Sequence, residues 1–179
     1  MPSTPKTKTT PWKIRDATAL PRDVEFLELM LCEAAQWRPG DKARPTSEPL
    51  ADPNVGHYIT GWPQPGDFGL IADTVAGEPI GAAWCRKLTR LDPGYGYVDD
   101  DTPEVVIAVD GAWRHLGVGT ALLGGLIDQA ARRGLPSISL SVETDNPALN
   151  LYSRMGFAQT EASDNAVTMI RLLSPSGER

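Results

Sequence analysis

Histidine and cysteine are scarce in this chain, which has 179 residues and only two of each. His57 and His115 form neither a His-x-His nor a His-Glu-x-x-His pair, so the usual spacings of a zinc site are absent. Cys32 and Cys85 are isolated, and we expect both to be reduced thiols in or near the core. The sequence therefore predicts no metal cofactor.

Long apolar runs and an excess of basic residues are also lacking. No segment approaches the roughly 20 apolar residues of a membrane-spanning helix, and the N-terminus lacks the apolar stretch of a secretion signal, so we expect a cytoplasmic protein that binds no membrane. Lysine and arginine total 17 against 23 acidic residues, a net charge of −6. Because nucleic acids are bound by basic surfaces, this balance disfavours them as partners. An acidic surface favours a cationic partner, although solubility alone explains such a charge equally well.

The overall composition is that of an ordinary globular domain, with 41% hydrophobic and 22% charged residues. We expect one domain over residues 12–173. Residues 1–11 contain three prolines and no large apolar side chain beyond the initiating methionine, which predicts a disordered tail. Residues 174–179 are predicted to form a short C-terminal tail.

Apolar periodicity predicts an α/β (α+β) fold with one mixed sheet and helices on both faces, in the order β-α-(α)-β-β-β-α-β-α-β-β. We expect Thr18 to cap the first helix, residues 91–101 to form an exposed loop, and the strand at 137–142 to be half-buried. The other predicted segments are strands at 12–16, 68–75, 80–88, 105–109, 157–161 and 167–172, and helices ending near 37, around 52–61, at 117–133 and from 146 to 156.

The stretch from Val105 to Thr120 is typical of a strand, a turn with glycines and the start of a helix. Free N–H groups and the aligned peptide dipoles make a helix N-terminus suited to an anion, and Gly117 and Gly119 allow a ligand to approach the main chain. Arg114 and His115 can add donors. The alternative is an ordinary tight turn whose glycines serve packing.

Two common phosphate-binding loops are excluded by what this turn lacks. A P-loop requires a lysine between its last glycine and the following serine or threonine, but Thr120 follows Gly119 directly. A dinucleotide-binding fingerprint requires a third glycine, and Leu122 stands at that position. Neither nucleotide-binding fold is indicated.

A second motif runs from Asn146 to Phe157 and reads Asn-x-x-x-x-x-Tyr-x-x-x-Gly-Phe. Together with Arg-x-x-Gly-x-Gly at residues 114–119, and with one helix and one strand between them, it closely resembles the GCN5-related N-acetyltransferase (GNAT) family. Outside residues 104–157 the resemblance rests on the order of elements alone. It implies a mostly antiparallel sheet in which the strand at 105–109 separates from the strand at 138–142.

The resemblance implies acetyl-CoA as the acetyl donor. The pyrophosphate would be held mainly by backbone N–H groups of Arg114, His115, Leu116, Gly117, Val118, Gly119 and Thr120. The main chain at Ile107, Ala108 and Val109 would lie along the pantetheine arm, with the amides of Ile107 and Val109 pairing with it. Asn146 would reach the same arm, although capping the following helix is an equally good use for it.

The catalytic roles also come from the resemblance. Tyr152 stands where the family places the acid that protonates the leaving thiolate, and the alternative is a core tyrosine on a helix stripe. A neutral amine is needed for attack, and Glu104 is our first candidate for the base, with Asp110 and Glu143 in reserve. The alternative for Glu104 is a solvated strand end. A backbone N–H near Val109 would meet the oxyanion.

The acceptor is less well defined by sequence. In similar proteins the segment after the first helix lies over the acceptor pocket, which here makes Trp37, Tyr58 and Trp62 candidate substrate-binding residues, with His57 nearby. Glu143 is a further candidate for substrate binding. The alternative is that the aromatic residues anchor a long loop. We expect direct acetyl transfer to a small-molecule or protein amine in a ternary complex, and a homodimer is common in the family. A non-catalytic acyl-CoA sensor or interaction module, or a longer acyl donor, remains open.

Overall fold

The computed structural model describes residues 11–40, 45 and 47–174, so the predicted tails lie almost entirely outside the described residues. The predicted order of elements is confirmed. The elements are β1 (Trp12–Asp16), α1 (Pro21–Ala35), α2 (Glu48–Ala51), α3 (Pro53–Gly56), β2 (Phe68–Thr74), β3 (Pro79–Arg86), β4 (Glu104–Val109), a 3-10 turn (Gly111–Trp113), α4 (Val118–Arg132), β5 (Ser137–Glu143), α5 (Ala148–Arg154), β6 (Ala158–Ala162) and β7 (Ala166–Leu172).

The strands form one seven-stranded sheet in the order β1-β2-β3-β4-β5-β7-β6. Every neighbouring pair is antiparallel except β4 and β5, which are parallel and in register only at Glu104 and Ser139. At that point the Ser139 N–H donates to the Pro103 carbonyl at 3.0 Å. Beyond it the two strands separate, which confirms the mostly antiparallel sheet and the expected gap.

Both faces of the sheet are covered, as predicted. One face packs against α4, whose Leu122, Leu123 and Leu126 are fully buried. The other face packs against α1 and the segment after α3, with Leu27 and Trp84 fully buried. Burial of such side chains contributes about 1.5–3 kcal/mol each, so the two apolar layers hold the sheet and its gap in place.

Two adjacent glycines in the middle of α4 have different surroundings. A Cβ at Gly125 would lie 2.8 Å from Leu70 Cδ1 of β2, whereas a Cβ at Gly124 would meet Met155 Cε at an ordinary 3.6 Å. Close packing against a neighbour therefore explains Gly125 but not Gly124.

The start of α1 differs from the prediction. Leu20, not Thr18, is the N-cap, and the Thr18 hydroxyl donates to Asp23 Oδ2 at 2.7 Å. Asp23 is buried and also accepts from Arg15 at 2.8 and 2.9 Å. Because its hydroxyl bonds to Asp23, Thr18 belongs to a buried polar cluster with Asp23 and Arg15 and does not cap α1.

The predicted helix at 52–61 is also shorter than expected. It consists of the single turn α3, and α2 precedes it without having been predicted. Asp52 lies between the two helices, and its carboxylate accepts the Asn54 N–H at 2.9 Å, which caps α3. The prolines of this segment favour short turns over one continuous helix.

The loop at 91–101 is not exposed throughout, contrary to the prediction. Gly96 is buried, donates its N–H to Glu104 Oε1 at 2.7 Å and accepts the Ser139 hydroxyl at 2.7 Å. A Cβ at Gly96 would lie 2.5 Å from the carbonyl carbon of Leu140. The loop therefore folds back onto β5 where β5 leaves β4, and only glycine permits this approach.

The prediction for β5 was also wrong, because this strand is mostly buried and not half-buried. Its alternating serines suggested a solvated face, but Ser137 and Ser139 are both buried. Ser137 shares a hydrogen bond of 2.7 Å with Thr102, and Ser139 binds the Gly96 carbonyl. A polar face can be buried when another segment satisfies its hydroxyls.

Candidate active site

The turn before α4 presents a row of unpaired peptide N–H groups. The first hydrogen bond of α4 runs from the Ala121 N–H to the Gly117 carbonyl, at 3.1 Å. Within the described part of the chain, no N–H of residues 114–120 donates a hydrogen bond. Seven free donors at the positive end of a helix dipole form a site suited to an anion such as a diphosphate.

The two glycines of this turn are required for different reasons. Gly117 has φ of 87°, a left-handed conformation that favours glycine, and His115 has φ of 60°. Gly119 is helical, and a Cβ there would meet Val109 and Leu151 at ordinary distances of 3.6 and 3.8 Å. The turn itself thus explains Gly117, whereas the packing of the chain leaves room for a side chain at Gly119.

The side chains of the turn do not all face the donor row. Arg114 donates to Glu33 Oε1 of α1 at 2.5 Å and to the Val109 carbonyl at 3.2 Å. His115 and Leu116 are exposed, Leu116 by 57%. The guanidinium of Arg114 therefore ties α1 to the turn, and the anion site consists chiefly of main chain.

The backbone of β4 has free hydrogen-bonding groups along the gap. The Asp110 N–H donates to Ile80 of β3, while the Pro103 carbonyl accepts from β5. Since peptide groups alternate along a strand, the main-chain groups of Ile107 and Val109 face the side from which β5 has separated. The Val109 carbonyl accepts from Arg114 at 3.2 Å, which leaves the groups of Ile107 and the Val109 N–H for a ligand. Pairing of this edge with the pantetheine amides stays a prediction.

Tyr152 lies on the α4 side of the gap and is only 8% exposed. Its ring packs edge-on against Phe157, with 6.1 Å between centroids. Burial alone raises the pKa of its hydroxyl to about 12, with no hydrogen bond from the described chain contributing. The phenol is therefore protonated at neutral pH and has a proton to donate.

Asn146 acts in part as the helix cap that the sequence left open. Its Oδ1 accepts the Ala148 N–H at 2.9 Å at the start of α5. Its half-buried side chain still has an amide group that can donate to a ligand. Contact with the pantetheine arm stays a prediction.

Glu104 is not a solvated strand end, because it is only 1% exposed. Its Oε1 accepts from the Tyr58 hydroxyl at 2.8 Å and from the Gly96 N–H at 2.7 Å. Oε2 has no partner of hydrogen-bond geometry among the described residues. Burial raises the pKa of Glu104, against the opposing effects of these two donors and of the nearby His57. A carboxylate with a raised pKa is suited to accepting a proton.

Two of the predicted substrate-binding aromatics lie in the core. Tyr58 is 7% exposed, and burial raises the pKa of its hydroxyl, which donates to Glu104. Trp62 is 8% exposed, donates to the Thr18 carbonyl at 3.2 Å and packs edge-on against Trp84. Both fit the alternative of anchoring the segment, since neither ring is available to an acceptor at the surface.

Trp37 and Glu143 lie near the far wall of the gap. The Arg38 guanidinium lies 4.6 Å from the centre of the Trp37 ring, pairs with Glu143 and reaches both carboxylate oxygens of Asp145 at 3.0 and 3.1 Å. Glu33 of α1 also contacts Arg114 in the turn that follows β4. The C-terminal end of α1 and the residues after it are thus bonded to both sides of the gap, at that turn and at β5. Trp37 and Glu143 remain candidates for acceptor binding.

The reserve base Asp110 has a structural use. Its Oδ1 accepts the Ala112 N–H at 2.9 Å and caps the 3-10 turn. Glu143, the other reserve candidate, is paired with Arg38. Neither has the burial of Glu104.

Sequence reasoning missed the contacts that hold the segment around Tyr58, the partner of Glu104. Arg86 and Asp67 form a buried ion pair at 3.1 Å, and Arg86 also donates to the carbonyls of His57 and Thr60. His57 in turn contacts Asp92 at 2.9 Å. The only sequence signal was the pair of glycines at 94 and 96, which marks a loop that approaches other backbone closely.

Neither a metal cluster nor a membrane span is found in the described parts of the chain. No group of three or more His, Cys, Asp or Glu side chains there could hold a metal ion. Across the same residues, no helix combines the length and apolar character needed to cross a bilayer.

The fold agrees with comparisons to known proteins. The sequence profile of the Acetyltransferase (GNAT) family matches residues 31–157, and the chain belongs to this family. Mycothiol acetyltransferase of Mycobacteroides abscessus is 34% identical over 128 residues, which cover 70% of this chain and 36% of that protein. Its counterpart in Thermobifida fusca is 33% identical over 104 residues, 56% of this chain and 31% of that protein. The matched region spans about a third of these relatives.

Solved structures with the same fold are more distant in sequence. The ribosomal-protein-S18-alanine N-acetyltransferase of Escherichia coli has a TM-score of 0.61 at 20% identity, covering 93% of this chain and 97% of its own. Ard1 of Thermoplasma volcanium has a TM-score of 0.60 at 22% identity, with coverages of 92% and 99%. These likenesses establish the fold.

Proposed function

We propose that the chain transfers an acetyl group from acetyl-CoA to an amine by direct transfer in a ternary complex. The observation that carries the proposal is the row of seven unpaired N–H groups at residues 114–120, beside the gap where β4 leaves β5. Family membership supports acetyl transfer in general. The particular acceptor and the roles of individual residues are our inference.

The chain has a fitting set of groups for the donor molecule. The N–H groups of 114–120 would hold its diphosphate, and the main chain at Ile107 and Val109 would pair with the pantetheine amides. Acetyl-CoA, when bound, supplies an acetyl group activated as a thioester. The proposal needs no metal ion.

Tyr152 would donate its phenolic proton to the leaving thiolate of CoA. Its hydroxyl has no other partner in the described chain, so no existing hydrogen bond must be broken. With a pKa of about 12 it stays protonated until a thiolate develops beside it. It lies on the α4 side of the sheet, opposite the face that carries Glu104.

Glu104 would remove a proton from the acceptor amine, directly or through water. An alkylamine with a pKa of about 10 is neutral in only about one molecule in a thousand at pH 7, so a base is required. The Tyr58 hydroxyl and the Gly96 N–H hold Oε1 in place. Oε2 is left to accept the proton.

The acceptor class is an amine, and the relatives suggest where to search for it. Two curated relatives are named mycothiol acetyltransferase, and one fold neighbour is named for an alanine of a ribosomal protein. A mycothiol-type amine and a peptide presenting an alanine amine therefore belong in the first test panel. Polyamines, amino acids and amine-bearing antibiotics complete it.

The experiment measures release of free CoA from acetyl-CoA with each amine, and mass spectrometry identifies the acetylated product. We expect turnover with at least one member of the panel. Glu104→Gln should lower kcat by about 10²-fold or more, the usual contribution of a positioned base. Tight binding of CoA without turnover of any amine would favour the non-catalytic sensor. Absence of CoA binding would contradict the proposal altogether.

A further inference from the structure

Glu104 needs a route by which its proton can leave. In the proposed function it accepts one proton in each turnover, yet it is only 1% exposed. Neither of the two groups bonded to Oε1 can carry the proton away. The Gly96 N–H can only donate. The Tyr58 hydroxyl is bonded on its other side to the Tyr95 N–H at 2.8 Å, which also can only donate. A peptide N–H cannot take a proton onward. The outlet must therefore start at Oε2.

His57 is the ionisable ring next to this carboxylate. Its ring packs edge-on against Tyr58, with 4.7 Å between centroids, and Tyr58 donates to Glu104. His57 Nδ1 lies 2.9 Å from Asp92 Oδ1, whose side chain is 67% exposed. Nε2 is buried and has no hydrogen-bond partner in the described chain. The ring thus has one nitrogen in the interior and one at a solvated carboxylate.

We propose that His57 and Asp92 carry the proton from Glu104 to solvent, an inference that rests on the proposed role of Glu104 as the base. The proton leaves Oε2 and reaches His57 Nε2 through water, since neither atom has a hydrogen-bond partner in the described chain. The imidazolium then loses its Nδ1 proton to Asp92 or to bulk water. One proton enters the ring and one leaves it, so the neutral ring ends the step with its proton on Nε2. Proton exchange with water, which takes the Nε2 proton and returns one to Nδ1, restores the starting tautomer.

The charges around His57 come from several elements. Asp92 faces Nδ1 from the loop after β3. Glu104 of β4 is near enough for the charge of His57 to lower its pKa against the effect of burial. Arg86 of β3 donates to the His57 carbonyl at 3.2 Å and is held by the buried carboxylate of Asp67. Arg86 therefore fixes the backbone at His57, while Asp92 contacts the ring itself.

A surface groove connects this pair to solvent. It has a volume of about 610 Å³ and is lined by His57, Thr60, Gln64, Arg86 and Asp92, among others. Lys87 also lines it and adds a cation near its mouth. A polar groove of this size admits water molecules, which can exchange protons with the Asp92 end of the ring.

The first test replaces His57 by Asn, using the amine of the panel that is acetylated fastest. Asn keeps a donor for Asp92 but has no second nitrogen to relay a proton. We expect kcat to fall roughly 10-fold, with the KM for acetyl-CoA unchanged, and free imidazole in the buffer to restore kcat in proportion to its concentration. A purely structural role would not produce rescue by imidazole. Unchanged kcat, or a loss that imidazole does not relieve, would overturn the proposal.

A matched pair of acidic residues in one loop provides the control. Asp92→Asn removes the outer carboxylate and should lower kcat about threefold, since water can still accept the proton. Asp101→Asn makes the same charge change at an exposed residue. Among the described residues, the Asp101 side chain makes no hydrogen bond or ion pair with His57. This variant should leave kcat unchanged. Equal effects of both variants would indicate a general charge effect and contradict the relay.

A second measurement needs no acceptor and separates this inference from the proposed function. The sequence has two histidines, so His115 serves as an internal reference for the His57 ring signal in NMR. Glu104→Gln should move the His57 Hε1 signal and leave that of His115 in place. If no amine is turned over, the proposed function fails, and an unmoved His57 signal would refute the relay on separate grounds.

Discussion

Replacing Thr120 by proline tests the anion site at a single peptide group. Thr120 is exposed, lies in the first turn of α4, and its N–H makes no hydrogen bond in the described chain. Proline is tolerated there, and Gly119 before it has no Cβ to clash with the ring. The substitution therefore removes one donor of the anion site without removing a bond that holds the fold.

The expected loss is that of one hydrogen bond to a charged group, about 1.5–3 kcal/mol, which corresponds to roughly a 10- to 100-fold rise in the Kd for CoA. Thr120→Ala is the reference, because it removes the hydroxyl and keeps the peptide N–H. Calorimetry with CoA measures both variants, and thermal unfolding checks that both are folded.

A third variant, Ala121→Pro, removes a peptide N–H that does form a hydrogen bond in the fold. The Ala121 N–H donates to the Gly117 carbonyl, so Ala121→Pro should lower the thermal midpoint, whereas Thr120→Pro should leave it close to that of Thr120→Ala. If folded Thr120→Pro binds CoA as tightly as Thr120→Ala, the peptide at 120 does not contact the diphosphate and the reasoning is refuted.

Three further outcomes follow from the structure. Tyr152→Phe should lower kcat with the cognate amine while the Kd for CoA, from calorimetry, stays within about twofold; unchanged turnover would remove the phenol from the mechanism. Gly124→Ala should raise the free energy of unfolding by about 1 kcal/mol, and Gly125→Ala should not, because its Cβ would meet a side chain of β2 at 2.8 Å; equal gains in urea unfolding would contradict this. The hydrogen-bonded Arg15 lowers the pKa of Asp23 to about 2, so this carboxylate stabilises the fold above about pH 4 and the contribution is lost as the pH falls toward 2. The difference in unfolding free energy between wild type and Asp23→Asn should therefore shrink over that range, and a constant difference would refute the assignment.

Most of the fold could be predicted because the signals are local. The apolar run at 105–109, the helical spacing after Gly117 and the turn residues between strands each depend on neighbours in sequence, and they fixed the order of elements. The anion site is local too, since its seven donors belong to one continuous turn whose left-handed Gly117 is visible as a glycine.

The surroundings of Glu104 could not be predicted, because they depend on contacts between distant segments. Its partner Tyr58 lies 46 positions away in sequence and was expected to face an acceptor. The loop that carries Gly96 contains prolines, glycines and three consecutive acids, a composition typical of exposed loops. No periodicity shows that such a loop folds over a strand of serines.

The sequence by itself determined the family through its two motifs. The sheet with helices on both faces and the position of the glycine turn before α4 were also determined, because they follow from local hydrogen bonding and from the period of apolar residues. Only the tertiary structure decided that Glu104 is buried, that Tyr58 and Gly96 hold its carboxylate, and that His57 packs against Tyr58 and contacts the exposed Asp92. Burial and pKa depend on which remote segments exclude water from a group, and that is settled only when the chain has packed.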